Sequence, residues 1–497
     1  MVFLGIDLGS SSIKFSLFDA AQGVSLGSLS HPGEEMPISS PEAGFAEQDP
    51  HMWWDYFKQG LANVLQRSGV DGSAIKGIGI SYQMHGLVCL DEQLQPVYPS
   101  IIWCDSRAVA IGNSAFAELG EDYCYTHLLN SPGNFTAAKL RWVQQHAPEV
   151  YAKIRHIMLP GDYIATCLSG EPTTTAGNLS EGTLWDFQRN VIARELLHHW
   201  QIDESFIPAI KPSIGQQCAV SAAMASELGL SAGTPITYRC GDQPNNAFSL
   251  NVSQPGEVAL SAGTSAVLYA LTQENIADRE NVGNTFKHVT STDDRGVNGL
   301  LVCINGGARA YNWLKHLLGE DVSYRQLSDM AASVPAGSRG LTLLPFGNGA
   351  ERMFANRTLG AHLLGLDFNQ HGRADIARAF LEGVAFILGY GFQRMQSIGY
   401  QNSVVRAAHS GLFLSDTFTQ TLADVIGRPI ERIDSDGAEG AARGAAVGSS
   451  YFATVEHAFA SQRTFDTVMP NSSQQVATQE AFDRWQLALQ QTLQTQE

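Results

Sequence analysis

The chain has 497 residues, enough for two to four domains, and carries 31 Lys plus Arg against 49 Asp plus Glu, a formal net charge of −18. That balance argues against a general binder of nucleic acid or anionic membrane, because the mean field repels phosphate polymers, while leaving room for a small anion in a prepared pocket. Seven dispersed cysteines without a CxxC pair indicate neither a disulfide framework nor a zinc site, and no apolar run is long enough to span a bilayer.

No signal peptide is expected at the amino terminus, since Asp7 interrupts the apolar run and the alternation marks a strand. A cytoplasmic protein is expected. The runs 2–8 and 13–18 flank Gly9, Ser10, Ser11 and Ser12 and predict an antiparallel hairpin, with a third strand near 24–29. Asp49 before Pro50 is a helix start, and Trp54, Phe57, Leu61, Val64 and Leu65 at helical spacing predict a helix over about 50–68. Strands are expected at 78–82, 87–90 and 101–103, so that Gln83-Met84-His85-Gly86 and Trp103 to Arg107 fall at strand ends. Helical patterns then dominate to about 230, including 138–147 and 191–199. His198 and His199 read as a helix end, because no companion metal ligand follows at a diagnostic spacing.

A strand at 236–240 runs into Asp242, Gln243 and Pro244, which read as a polar turn. The stretch VALSAGTSAVLYAL at 258–271 then echoes the opening hairpin: Gly263, Thr264 and Ser265 repeat Gly9, Ser10 and Ser11 at an offset of 254 residues, about half the chain. Helices at 373–397 and 415–426 precede the small-residue run 437–446, which fits close helix packing. A duplicated α/β unit is the economical reading, with a boundary at 246/247. If the two halves face one another, each offers a glycine turn to one cleft. Backbone N–H groups at such turns approach phosphate oxygens closely because glycine lacks a Cβ.

Two acids stand out. Asp7, between strand residues Ile6 and Leu8, is a poor strand residue and can serve as a magnesium ligand beside a bound nucleotide or as a turn cap. The echo has Ser261 in its place, so the duplication is chemically asymmetric. Asp242 stands just upstream of the echo, where it can act as the single general base that hydroxyl phosphorylation needs.

The ordered set GIDLGSSSIK, EQDP, Gln83-Met84-His85-Gly86, Trp103 to Arg107, Lys139 to Trp142, Leu159 to Tyr163, Gly241-Asp242 and Ala262 to Ser265 resembles the FGGY carbohydrate kinases along essentially the whole chain. Within that family, the Gln-Met-His-Gly form and the segment from Gly241 to Ala247 are similar to the ketopentose kinases. The resemblance implies two actin-like, ribonuclease-H-like domains flanking a catalytic cleft. Residues 1–246 would bind mainly the sugar and 247–497 mainly the nucleotide, with ATP and Mg²⁺ required and a homodimer compatible.

Position by position, the resemblance implies Asp242 as the base and Asp7 and Asp242 as the magnesium-linked acids. Gly9 to Ser12 and Gly263 to Ser265 would form the phosphate loops, and Lys14 would be a cation near the transferred phosphate. Met84, His85, Trp103 and Gln243 would contact sugar, and Gly307, Asn312 and Gly411 would line the nucleotide pocket. Asp105 and Arg107 are expected to form an internal ion pair. Ala407 and Ala408 occupy the family's glycine positions, and Gly411 stands where the family has a nucleotide-contacting Asn or similar residue, which bears on nucleotide selectivity. D-xylulose is the expected acceptor, with ribulose, gluconate or glycerol as alternatives. A nucleotide-driven actin-type protein, or a sugar sensor without catalysis, shares the cleft.

Overall fold

The computed structural model describes residues 1–495 other than 264 and 320. The expected hairpin forms over Val2–Leu8 and Ile13–Asp19, and Val24–His31 extends it. A six-stranded sheet grows from it in the order Ile214–Ala219, Pro235–Gly241, Ile75–Tyr82, Val2–Leu8, Ile13–Asp19, Val24–His31. Its three middle strands from Pro235, Ile75 and Val2 are parallel, and Gly241 and Leu8 both lie level with Tyr82. Whatever follows those residues is therefore delivered to one edge of the sheet, the side on which open α/β sheets hold ligands.

The second sheet repeats the plan. Glu257–Ala262 pairs antiparallel with Ala266–Thr272 on one side and parallel with Val404–Ala408 and then Ile430–Ile433 on the other. Asn298–Ile304 occupies the position of Val24–His31 in the first sheet, and Asn284–Lys287 adds one more edge strand. The echo in sequence is thus an echo in topology, and the chain is a two-domain α/β protein. The two turns differ in length, because Leu8 pairs with Ile13 whereas Ala262 pairs with Ala266.

The helix Pro50–Ser68 starts and ends as the sequence predicts: Asp49 accepts from the His51 N–H, and Gly69 closes it in the left-handed conformation with φ 69°. Its buried face centres on Trp53, Phe57, Leu61 and Val64, while Trp54 stacks on Phe57 at the margin. The run 191–199 divides into a short strand Val191–Ile192 and the helix Arg194–Trp200. Asp242, Gln243 and Pro244 do not form a polar turn. They open the helix Asp242–Ser249, in which Pro244 is tolerated because first-turn N–H groups have no partner inside the helix. The 246/247 boundary falls inside this helix.

The small-residue run forms the helix Gly437–Gly448, and although it belongs to the second half it packs on the first sheet. The contact is backbone to backbone. A Cβ on Gly5 would lie 1.7 Å from the Ala438 carbonyl oxygen, and one on Gly79 would lie 2.0 Å from that of Ala441. Gly and Ala recur in this stretch because nothing larger fits between helix and strand.

Candidate active site

The parallel strands of the first sheet end in three polar segments: Asp7 and the Gly9 turn, Gln83 to His85, and Asp242. Asp7 is partly exposed at the sheet edge, accepts from Ser81 Oγ at 2.9 Å, and sits opposite Lys14 in the hairpin register. Burial raises its carboxyl above the ordinary range, opposed by Lys14 and the Ser81 bond and reinforced by Asp436. The Gly437 helix reaches the same point: a Cβ on Gly437 would lie 3.1 Å from Asp7 Oδ2, and Asn245 Nδ2 donates to the Gly437 carbonyl at 2.8 Å. Asp242, the first residue of its helix, is pushed up to about 7, by burial first and by the Asp7 charge second. Two acids with raised proton affinity at the ends of the parallel strands, one of them raised in part by the other's charge, constitute a candidate site for a proton or a cation.

His85 is the most constrained of the expected sugar contacts. Its φ is 61°, which a side chain other than glycine adopts at a cost, and neighbours hold it there. Lys139 Nζ donates to the His85 carbonyl at 2.8 Å and to that of Ile102 at 2.9 Å, while His85 Nδ1 lies 2.9 Å from the Glu181 carbonyl. Phe135 and Phe286 flank the ring, the latter from the second sheet. Burial and the Lys139 charge push His85 down to about 3, so its imidazole is neutral; its Nδ1–H donates to the Glu181 carbonyl and Nε2 is left as an acceptor.

Lys139 is fully buried, which pushes it down to about 7, and it ties two strand ends together. Lys139→Met should raise the sugar KM about 10-fold or more, since two buried carbonyls lose a donor and His85 its anchor. Steady-state kinetics on the folded variant check this, and an unchanged sugar KM would remove Lys139 from the site.

Met84 is buried against Gly241, where a Cβ would meet its Cγ at 2.5 Å. Gln243 is half-buried beside Asp242. Trp103 is 54% exposed, and its indole N–H points at Ser10 Oγ, 3.4 Å away, which places it by the first turn. Asp105 and Arg107 do pair, at 2.7 Å, with Glu47 as a third member.

In the first turn Gly9 N donates to the Ser12 carbonyl at 3.0 Å, Gln48 Nε2 donates to the Ser10 carbonyl, Met36 N to that of Ser11, and Ser30 Oγ to Ser12 Oγ. Gly263 and Ser265 form the second turn, and Thr264 lies outside the described residues. Gly307 packs on this turn so closely that a Cβ would sit 2.4 Å from Ala266 N, and Ala308 N donates to the Gly263 carbonyl.

A cavity of about 1200 Å³ opens from the second turn and gathers Gly263, Asn312 and Gly411 with Tyr311, Trp313 and Ser415. Asn312 Oδ1 accepts from Tyr324 OH at 2.8 Å, and Gly411 has φ 57°, with the Ala262 carbonyl oxygen 2.2 Å from where its Cβ would be. The acid pair is outside this cavity, at the first sheet.

Residues 2–249 match the N-terminal domain, and residues 258–452 the C-terminal domain, of the FGGY family of carbohydrate kinases. The chain belongs to that family. This FGGY kinase is 28% identical over 459 residues to a xylulose kinase of Staphylococcus epidermidis, covering 92% of this chain and 89% of that one. It is also 28% identical to a xylulose kinase of Haemophilus influenzae, covering 90% of each. Among solved structures, the xylulose kinase from Rhodospirillum rubrum superposes with a TM-score of 0.89 at 26% identity, covering 100% of this chain and 99% of that one. The glycerol kinase of Plasmodium falciparum with ADP shares the fold, with a TM-score of 0.87 at 20% identity, covering 99% and 98%. As an FGGY carbohydrate kinase, the protein is an enzyme that takes a sugar and a nucleotide. No helix among the described residues is long and apolar enough to cross a membrane.

Several residues of this candidate site carry little signal in the sequence. Ser81, Glu181, Phe286, Tyr311 and Ser415 are ordinary residues for their elements, and only contact reveals them. Lys139 does carry one: a lysine between Ala138 and Leu140 on the buried face of the helix Thr136–His146 demands partners.

Proposed function

We propose that this kinase phosphorylates a ketopentose, D-xylulose first, at its 5-hydroxyl with MgATP, and that Asp242 is the general base. The observation that carries the reading is the convergence of Asp242, Met84 and His85 at the ends of adjacent strands, with Asp242 pushed up to about 7. A carboxylate of that proton affinity is matched to a base working near neutrality. It accepts the hydroxyl proton as the sugar oxygen bonds to the terminal phosphorus and the bond from that phosphorus to the bridging oxygen breaks, releasing ADP. The names of the relatives support the choice of sugar.

Met84 forms an apolar wall, His85 Nε2 and the Gln243 amide take sugar hydroxyls, and Trp103 closes the side toward the first turn. The N–H groups and hydroxyls of Ser10 to Ser12, with Gly9 closing their turn through its bond to the Ser12 carbonyl, and those of Gly263 and Ser265 hold phosphate oxygens, with Lys14 adding a cation. Asn312 and Gly411 line the nucleotide cavity, and Gly307, which is not in its lining, acts by packing against the second turn. In this reading 1–246 carries mainly the sugar and 247–497 mainly the nucleotide.

Asp7 and Asp242 fit a magnesium ion. They are two partly exposed carboxylates at the same end of the first sheet, oxygen donors of the kind that such a cation, arriving with its phosphates and water, prefers. Bound there, it would neutralise phosphate charge.

In the metal-free protein the Asp242 carboxyl should titrate near pH 7 and, because Asp7 raises it through its negative charge, Asp7→Asn should move that titration to lower pH. An NMR titration of labelled aspartate carboxyls from pH 5 to 9 without Mg²⁺ checks it, and an unmoved titration would uncouple the acids. The substrate test is coupled ADP formation over D-xylulose, L-ribulose, D-ribulose, gluconate and glycerol. Preference for another acceptor would overturn the sugar assignment and leave the base assignment standing.

A further inference from the structure

Glu181, the last residue of the short helix Ala176–Glu181, is the hub of the acceptor site, yet none of the roles above uses its carboxyl. The residue is 2% exposed. Its Oε1 accepts from Tyr82 OH at 2.5 Å, on the strand that leads into Met84 and His85, and its carbonyl holds His85 Nδ1. Its Oε2 is buried without a hydrogen-bond partner. That oxygen lies 2.6 Å from where a Cβ on Gly241 would be, beside the Met84 Cγ, at the residue before Asp242.

A buried polar atom without a partner costs about 1–3 kcal/mol, and native proteins retain few. Met84, the expected apolar wall of the sugar site and an unbranched thioether that changes rotamer readily, packs against the same point of Gly241 as this oxygen. A ligand that displaces the methionine tip would supply the missing partner. A sugar hydroxyl can do so in either protonation state of the carboxyl, because it both donates and accepts. Gly241 carries no side chain here, and the space a Cβ would take is shared by the Met84 Cγ and this oxygen, so that moving the methionine leaves the oxygen facing the residue before the base.

The geometry points to Glu181 as a specificity-determining residue of the acceptor site, whose unpaired Oε2 hydrogen-bonds one hydroxyl of the sugar other than the one that is phosphorylated. The recognised class is a polyhydroxylated acceptor with a hydroxyl at a fixed distance from the reacting oxygen. A site built to pair a hydroxyl rejects the analogue lacking it far more strongly than an apolar wall would. This inference rests on the ketopentose reading for its probe.

The experiment measures kcat/KM of wild type, Glu181→Met, Glu181→Asp and Glu181→Gln with D-xylulose and with its 1-, 3- and 4-deoxy analogues. Glu181→Met and Glu181→Asp should lose about 10- to 100-fold on D-xylulose with the KM for MgATP unchanged. On one analogue, the one without the partner hydroxyl, both variants should match wild type within about threefold. Glu181→Gln, which keeps a hydrogen-bonding group in place, should stay within about threefold of wild type on D-xylulose.

Equal losses on all four acceptors would overturn the proposal and make Glu181 a packing residue whose oxygen pairs with buried water. If Glu181→Met fails to fold by circular dichroism, Glu181→Asp carries the same comparison. If wild type ignores D-xylulose and turns over another acceptor, the ketopentose reading falls, and the deoxy analogues of that acceptor decide the role of Glu181 independently.

Discussion

Asp242→Asn should reduce sugar-dependent ADP formation by about 10²- to 10⁴-fold, the span that a positioned general base supplies, and at the same time stabilise the fold. The activity loss follows from the amide, which cannot accept the hydroxyl proton. The stability gain follows from proton linkage. The Asp242 carboxyl stands near 7 in the folded chain, against about 3.9 when unfolded. Between those values the native state binds more protons than the unfolded chain, so stability falls as pH rises from about 4 to 7, and the penalty stands in full above 7. Asparagine has no such slope.

Without Mg²⁺ the variant should therefore gain about 1–3 kcal/mol at pH 8, the full linkage value being reduced because Asp242 is partly exposed, and almost nothing at pH 4. Thermal melts at both pH values, beside the coupled assay, check both halves. A folded Asp242→Asn that keeps parental turnover would remove Asp242 as base, and one that melts lower at pH 8 would show its carboxylate to be well solvated or paired.

Gly5→Ala, a change of one methyl group remote from any expected ligand contact, should cost about 3 kcal/mol or more. The new Cβ would fall 1.7 Å from the Ala438 carbonyl oxygen and 2.6 Å from Ala442 N. Both are backbone atoms of a helix, so no side chain can swing aside and the whole helix must retreat. Its start is pinned at the site, where Asn245 holds the Gly437 carbonyl and Gly437 stands against Asp7. The folded fraction should accordingly lose activity as well as stability, although Gly5 touches neither acid. Denaturant titration gives the first quantity and ADP formation the second. A parental midpoint would mean that the helix does not rest on this strand.

The hairpins, the capped helix 50–68 and the duplication were legible because each is written locally. Alternation gives the strand, Asp-Pro gives the helix start, and glycine marks the turn in both copies. The run at 242–244 misled because Asp, Gln and Pro suit a turn and the first turn of a helix equally well. The strand feeding Asp242 to the sheet edge, level with Tyr82, decided between them. The small-residue run disclosed close packing and not its partner, since a glycine shows only that something comes near.

What the sequence by itself determined is the family, the repeated α/β plan and the residue types of the chemistry, because these reside in short motifs whose order along the chain is preserved. What only the tertiary structure decided is their surroundings. The strand register brings Asp7, His85 and Asp242 to one edge. The second-half helix crosses to the first sheet. Lys139 reaches the carbonyls of Ile102 and His85, and Glu181 is left with one oxygen unpaired. Proton affinity, burial and unpaired atoms depend on neighbours tens to hundreds of residues away, and no local pattern encodes them.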